Sequence, residues 1–405
     1  MRAEVFDSFS FLLMGLLVGE AKHGTVRASV FAPAGYQPQR LSDLFCRHKL
    51  SHQAFMAMLA QLALATLYPA GLPARLFWLA DTTQTEKPYS RRVASIHWFH
   101  RTKQIAGRAK QLKGHCYLFT AHLYRHSQQQ LWASVLVGAL LYVKGRSPSE
   151  LTGELARQLR LPEQARHVWV VDRGLLSRRL LRSLGAQGHF ALGRLKCNQV
   201  VYFTPRRHHR GRGRRKTYGA RCRVDQLRKR YSERLQEQKM KLRMAGRERE
   251  VEVSSAEVLL RGVAAHDAQA VQVIIVSIPG SHLQPWYLLT TDLELGVEEA
   301  VGAYCGRQQI EVNFDEVKEL GLANYQGRSG QGVRRWPLFL SVAQMLLKFI
   351  TTEALAVSLP KLNWSWYRQE NTVGQVRRRL IENCRPRISR ALSKMANLRE
   401  MKKAA

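Results

Sequence analysis

Two short apolar runs, each closing on an aspartate, restrict this chain more than any other feature. Leu76-Phe77-Trp78-Leu79-Ala80 ends at Asp81-Thr82-Thr83, and His167-Val168-Trp169-Val170-Val171 ends at Asp172-Arg173-Gly174. Apolar runs without polar alternation read as strands buried on both faces. Such strands need helices packed on them, so the chain reads as α/β with a mixed sheet. An acid at the end of each strand falls on a sheet edge, where backbone and ligand can meet. Each aspartate also has a plainer reading, as the residue of a strand-end turn.

The segments around these strands extend the pattern. A basic loop, Arg91 to Lys113, leads to strand-like runs at Cys116 to Tyr124 and Leu131 to Leu141, joined by a polar hairpin turn over 125–130. Ser147-Pro148-Ser149-Glu150 is a capping box with proline at the first helical position, and it predicts a helix to about Leu159. Leu175 to Leu184 reads as a helix ended by Gly185 and Gly188, and Phe190 to Leu195 as a further strand. Residues 73–200 are therefore the first part of the core. Before them, residues 1–72 read as a helical N-terminal domain, stopped by Pro69, Gly71 and Pro73. That domain is either a head that binds DNA ends or a plain helical cap on the core.

Residues 201–284 break the rhythm. Arg206 to Lys216 is a basic loop, and Tyr231 to Gly246 is charged with few apolar positions. Short strands are predicted at Glu250 to Ser254, Glu257 to Leu260 and Val271 to Ser277. This is a β-rich basic insertion. The core resumes over 285–350, with a strand at Pro285 to Asp292 and an apolar helix from Trp336 to Phe349. Residues 351–405 form a basic helical tail, with Arg377-Arg378-Arg379 and Lys402-Lys403.

Charge narrows the partner. Lys and Arg number 64 against 30 Asp and Glu, a formal net charge of +34 over 405 residues. Such an excess self-repels unless a polyanion neutralises it, which points to nucleic acid and to salt-sensitive binding. The basic runs recur near 91–113, 206–230, 239–250 and 375–403, as along an extended path. Six cysteines without metal-ligand spacing read as reduced packing residues of a cytoplasmic protein. The apolar run Phe9 to Val18 is too short to span a membrane.

A third acid lies on a helix that begins near Gly296 or Val297, runs through 303–318 as one element and stops at Gly321. Tyr304, Arg307, Glu311 and Lys318 fall within an arc of roughly 60° on it. This stripe suits a helix laid on a phosphate backbone with a metal-binding carboxylate in its middle. The plainer reading is an amphipathic surface helix with an i,i+4 Arg-Glu pair. Asp315, one turn further on, is the substitute third acid. Two divalent ions roughly 4 Å apart can activate an attacking oxygen and stabilise a leaving one in phosphodiester chemistry. Hard cations such as Mg2+, with Mn2+ able to substitute, take carboxylate oxygens. Asp81, Asp172 and Glu311 are the candidate catalytic and metal-binding set.

The spacing Tyr304-x2-Arg307-x3-Glu311-x6-Lys318 resembles the signature of DDE transposases of bacterial insertion sequences, in the insertion-sequence-four-like superfamily. Val170 to Gly174 with Phe190 to Asn198 is similar to that family's second-acid region, and Leu79 to Thr83 to its first. The resemblance covers about Arg75 to Ile350. It implies an RNase H-like core interrupted by the insertion, and cut-and-paste transposition. In that mechanism one strand is nicked at the element end, and the freed 3′-hydroxyl attacks, ultimately in target DNA. It implies double-stranded DNA partners, namely terminal inverted repeats and target, and a homodimer or larger synaptic complex. Tyr304, Arg307 and Lys318 would contact terminal phosphates, and Arg328, in the Gly-rich basic loop Tyr325 to Gly330, is a further DNA-binding candidate. Trp286 is a candidate for holding a flipped base, against the plainer reading of a core aromatic. The alternatives are an RNase H-like nuclease or domesticated derivative that cuts without joining, and a non-catalytic basic DNA-binding protein.

Overall fold

The computed structural model describes residues 3–18, 39–90, 92–100, 109–126, 131–205, 217–244, 247–263, 268–281, 284–325, 327–351 and 372–382. The Arg206 to Lys216 loop and the Lys402-Lys403 end of the tail lie outside the described residues.

Twelve strands among these join in one mixed sheet. The first six are β1 (Arg75–Glu86), β2 (His97–His100), β3 (Gln111–Arg125), β4 (Trp132–Leu141), β5 (Arg166–Val171) and β6 (Phe190–Arg194). β1 lies between β3, antiparallel, and β5, parallel, and β6 continues parallel to β5. The order through this half is β4-β3-β1-β5-β6, with β2 beside β4 on the outer edge of β3. The apolar runs behave as their composition demands: Leu76 to Ala80 and His167 to Val171 are buried throughout.

One boundary differs from the sequence reading and matters for the site. Asp81 does not end its strand. β1 runs five residues further, because Thr82 to Glu86 stay paired with Leu118 to Gly114 of the long β3. The β-branched Thr83 and Thr85 suit a strand as well as the apolar run does. The parallel partner does end there: the last β1/β5 pair is Ala80 with Val171. Asp81 and Asp172 therefore leave that pair side by side, in a notch where β5 stops and β1 continues.

The insertion extends the same sheet. Its strands are β7 (Val200–Tyr202), β8 (Arg221–Arg223), β9 (Gln236–Met244), β10 (Arg247–Arg261) and β11 (Ala268–Ser277), and β12 (Trp286–Thr290) joins β11 to β6. Two strands expected at 250–254 and 257–260 are one fifteen-residue strand, β10, because pairing to β11 runs unbroken from Glu252 to Arg261. The charged stretch 231–246, to which the sequence reading assigned no particular strand, contains β9. Its Met240 and Leu242 alternate with Lys239, Lys241 and Arg243, the period-two signature of a strand with one wet face. β2 likewise lies inside the segment read as a basic loop.

The helices are α1 (Ala3–Val18), α2 (Gln39–Cys46), α3 (His52–Leu67), α4 (Pro148–Gln158), α5 (Arg178–Gly185), the single turn α6 (Leu227–Arg230), α7 (Val297–Gly306), α8 (Gln309–Glu319) and α9 (Gly330–Thr351), with a further helical segment at 373–382. The capping box at Ser147 forms as expected. α5 starts three residues later than expected, because Asp172 closes a turn onto Leu175 and Ser177 caps the helix through Leu180 N. α9 begins six residues earlier than Trp336 and carries Pro337 within it. The N-terminal helices pack on this core: Phe9, Phe45 and Phe55 ring the buried Phe339 of α9. The Arg335 guanidinium donates to the carbonyls of Leu44, Phe45 and His48. Among the described residues no helix is long and apolar enough to cross a membrane.

Candidate active site

The helix expected through 303–318 is two helices, α7 and α8, joined at Arg307-Gln308. Over this joint the hydrogen bonds tighten to i→i−3: Arg307 N donates to Tyr304 O (3.1 Å), Ile310 N to Arg307 O (3.1 Å) and Glu311 N to Gln308 O (3.0 Å). The joint packs closely on β4: a Cβ on Gly306 would stand 2.9 Å from Cγ of Trp132. Both joint residues keep right-handed helical dihedrals.

Asp81, Phe119 and Trp132 share one sheet face by strand register, and α7 and α8 lie over that face. Phe314 of α8 meets Phe119 with ring centroids 5.9 Å apart. This brings Arg307 onto the notch. Its Nη1 donates to Asp81 Oδ2 (3.2 Å) and its Nη2 to Glu311 Oε1 (3.2 Å). Asp81 Oδ1 accepts from Thr82 N at 2.7 Å. Asp172 Oδ1 accepts from Leu175 N at 2.8 Å, so the strand-end turn reading of this residue holds for one oxygen. Oδ2 takes no described hydrogen bond. Gly174 leaves it room, since a Cβ there would come within 3.2 Å. Ser149, in the first turn of α4, donates to Leu175 O (2.8 Å) and braces the same turn.

The electrostatics follow from burial. Asp81 is pushed up to about 6, first by loss of water and next by the neighbouring Asp172 charge; the Thr82 amide and Arg307 oppose the rise. Arg307 is held more firmly charged than usual: burial works against its charge, and Asp81, Tyr304, Glu311 and Asp172 outweigh it. The Tyr304 phenol is raised, chiefly by burial, and bonds to Arg307. Glu311 is largely exposed, at 61 % of its side-chain surface.

The remaining candidates divide. Trp286, at the start of β12, packs on Tyr304 with centroids 6.2 Å apart, so it belongs to this cluster and is half-buried. Arg194 of β6 acts on Tyr304 electrostatically. Lys318 lies two turns beyond Glu311 and pairs with Asp315 (3.7 Å), not with an acid of the notch. Arg328 is elsewhere. Its carbonyl accepts from Ala94 N, near the far end of β1, where Lys87 Nζ donates to the carbonyls of Ala323 and Tyr325. As they stand, no three His, Cys, Asp or Glu side chains among the described residues are grouped to hold a metal. Asp81 and Asp172 lie together, and Arg307 stands between Asp81 and Glu311.

Sequence reasoning missed the residues that fix the roll of α8. Buried Asn313 donates to Ser134 Oγ (2.8 Å) and accepts from Gln344 Nε2 (3.1 Å). Gln344 Oε1 accepts from Leu136 N on the free edge of β4 (3.1 Å), and Glu316 accepts from Gln344 (2.7 Å) and Lys348 (3.0 Å). The available signal was Gln344 and Lys348, four apart in the mainly apolar stretch 336–349, facing Asn313 and Glu316, three apart on α8.

No family model matches the chain, and no curated protein matches it significantly.

Proposed function

We propose that the chain is a DDE-type transposase of a bacterial insertion sequence, which cuts DNA at terminal inverted repeats and joins the freed 3′ end to target DNA. The observation that carries this reading is the convergence at Arg307. Acids from β1 and α8, more than two hundred residues apart, share one guanidinium, beside a third acid at the end of β5. The mixed order β4-β3-β1-β5-β6, with the first acid on its central strand and the second where the parallel neighbour stops, supports an RNase H-like core. The net charge of +34 supports a polyanionic substrate.

The donors fit a hard divalent cation. Asp81 and Asp172 would hold it, Mg2+ or in its place Mn2+, and Glu311 would complete the set once Arg307 turns away. Burial and the neighbouring Asp172 make the Asp81 carboxylate costly to hold charged, a cost that a bound cation would relieve. A metal pair there supplies activation of the attacking oxygen and stabilisation of the leaving one. Arg307, Tyr304 and Lys318 would bind phosphates and set the register of the scissile bond. Trp286, already against Tyr304, would stack on a displaced base.

Strand cleavage and joining on DNA carrying the sequences that flank the gene, with Mg2+, tests the proposal. Both products are expected. Cleavage without joining favours the nuclease reading. Binding without cleavage at permissive salt contradicts the enzyme.

A further inference from the structure

The outer edge of the sheet at β2 carries a surface that the notch does not use. Trp98 is 66 % exposed and Tyr89, in the turn after β1, is 94 % exposed. The strand beneath is anchored from its other side, where Phe99 packs on Tyr142 at 5.7 Å between centroids. Trp98 is thus presented on a fixed strand. Its cross-strand partner is Lys113. Lys113 shares a face of β3 with His115, Tyr117 and Phe119, and Phe119 pairs with Asp81, so Trp98 lies on the same sheet face as the acids. From Phe119 to Lys113 the strand rises roughly 20 Å, about six base steps of B-DNA. The segment 91–113 holds seven Lys or Arg and no Asp or Glu. Arg328 reaches this edge too, through its carbonyl on Ala94.

Large exposed aromatics among basic side chains suit one ligand chemistry. Phosphates are held by the cations, and the π-faces of unpaired bases stack on the rings, without sequence preference. A base-paired duplex offers its phosphates and not its base faces. We propose that the β2 edge is a stacking platform for unpaired DNA, with Trp98 and Tyr89 as platform and Lys113, with the exposed Arg92 and Lys110, as phosphate contacts, holding opened strand on the sheet face that carries the cleavage site. This rests on the reading as a DNA-cutting enzyme.

The test is fluorescence anisotropy with the full chain, metal-free, on a labelled single-stranded oligonucleotide and on its duplex. Wild type, Trp98→Ala, Trp98→Phe and Lys113→Ala are compared, each first shown to unfold at the wild-type temperature. Trp98→Ala is expected to weaken single-strand binding roughly five- to hundred-fold, the worth of one stacked base. Its salt slope should be unchanged, duplex binding should move far less, and Trp98→Phe should recover most of the loss. Lys113→Ala should lower the salt slope by about one. Single-strand binding by Trp98→Ala at wild-type strength overturns the platform and leaves the proposed function standing. Equal losses on single strand and duplex also overturn it, in favour of a duplex contact. A change in the molecular mass of Trp98→Ala in solution, with oligonucleotide binding intact, would reassign the face to contact between copies. No binding to either DNA by wild type overturns the proposed function together with the platform.

Discussion

Arg307 is the counter-ion of Asp81 and Glu311, and it occupies space that the proposed cation would need. Replacing it should therefore help a metal and hurt DNA. Arg307→Gln is expected to bind Mn2+ about ten-fold more tightly by calorimetry, the effect of removing one competing charge contact near a buried carboxylate. Unchanged affinity would show that Arg307 does not compete. The sign for Asp81 follows from its raised value. A carboxyl that ionises near 6 in the folded protein and near 3.8 unfolded gives full stability below about 3.8 and loses it as pH rises through 6. Two pK units correspond to about 3 kcal/mol with the Arg307 pair already counted, and a buried Asn amide keeps part of that cost. Asp81→Asn should thus stabilise the metal-free protein at pH 7 by about 1–2 kcal/mol in denaturant melts, and show little gain at pH 4. The paired acids were legible because each follows an uninterrupted apolar run. Their bridging by Arg307 was not, since i,i+4 spacing gives the Arg307–Glu311 contact and says nothing of a strand 226 positions away.

At the scale of the element, α8 is held by the polar network from Ser134 through Asn313, Gln344 and Glu316 to Lys348. Lys348→Met leaves Glu316 nine-tenths buried with one partner fewer, and should cost about 3 kcal/mol in thermal or denaturant unfolding. Asn313→Leu should cost about 1–3 kcal/mol, because Ser134 and Gln344 lose their partner inside the core. If either variant unfolds like wild type, the network does not set the helix. Element types were mostly readable where local chemistry decides: the Ser147 box, the Gly321 stop with its positive φ, and the β5 run. Boundaries failed where a partner decides. β1 is prolonged past Asp81 by β3, β10 is fused by β11, and the helix is interrupted at Arg307-Gln308, next to the tight contact of Gly306 with Trp132.

Over the whole molecule, the sheet is one continuous layer whose two ends carry opposite tasks. At the entry of β1 and β5, Arg75 and Arg166 both pair with the fully buried Asp292 at 2.9 Å, a neutralised structural site. At the exit, a single guanidinium, Arg307, is shared by Asp81 and Glu311 with Asp172 beside them. Behind the sheet, burial holds His122 and His189 neutral, lowering them to about 3 and about 4. His122 donates through Nδ1 to Phe77 O and accepts from the Tyr68 hydroxyl through Nε2. Unfolded histidines take up protons first as pH falls, so stability should be full above about 6.5 and drop by several kcal/mol toward pH 4. Denaturant melts between pH 7.5 and 4 check this, and a flat profile would contradict the buried cluster.

The proposed metal ligation by Asp81, Asp172 and Glu311 in phosphodiester cleavage answers to a change of ligand atom. Substituting Asp172→Cys puts a soft thiolate where a hard carboxylate stood. Strand cleavage by that variant should vanish with Mg2+ and return in part with Mn2+, while wild type cuts with both. Cleavage by the folded variant with Mg2+ at the wild-type rate, or an equal loss with both ions, would contradict metal ligation at this site.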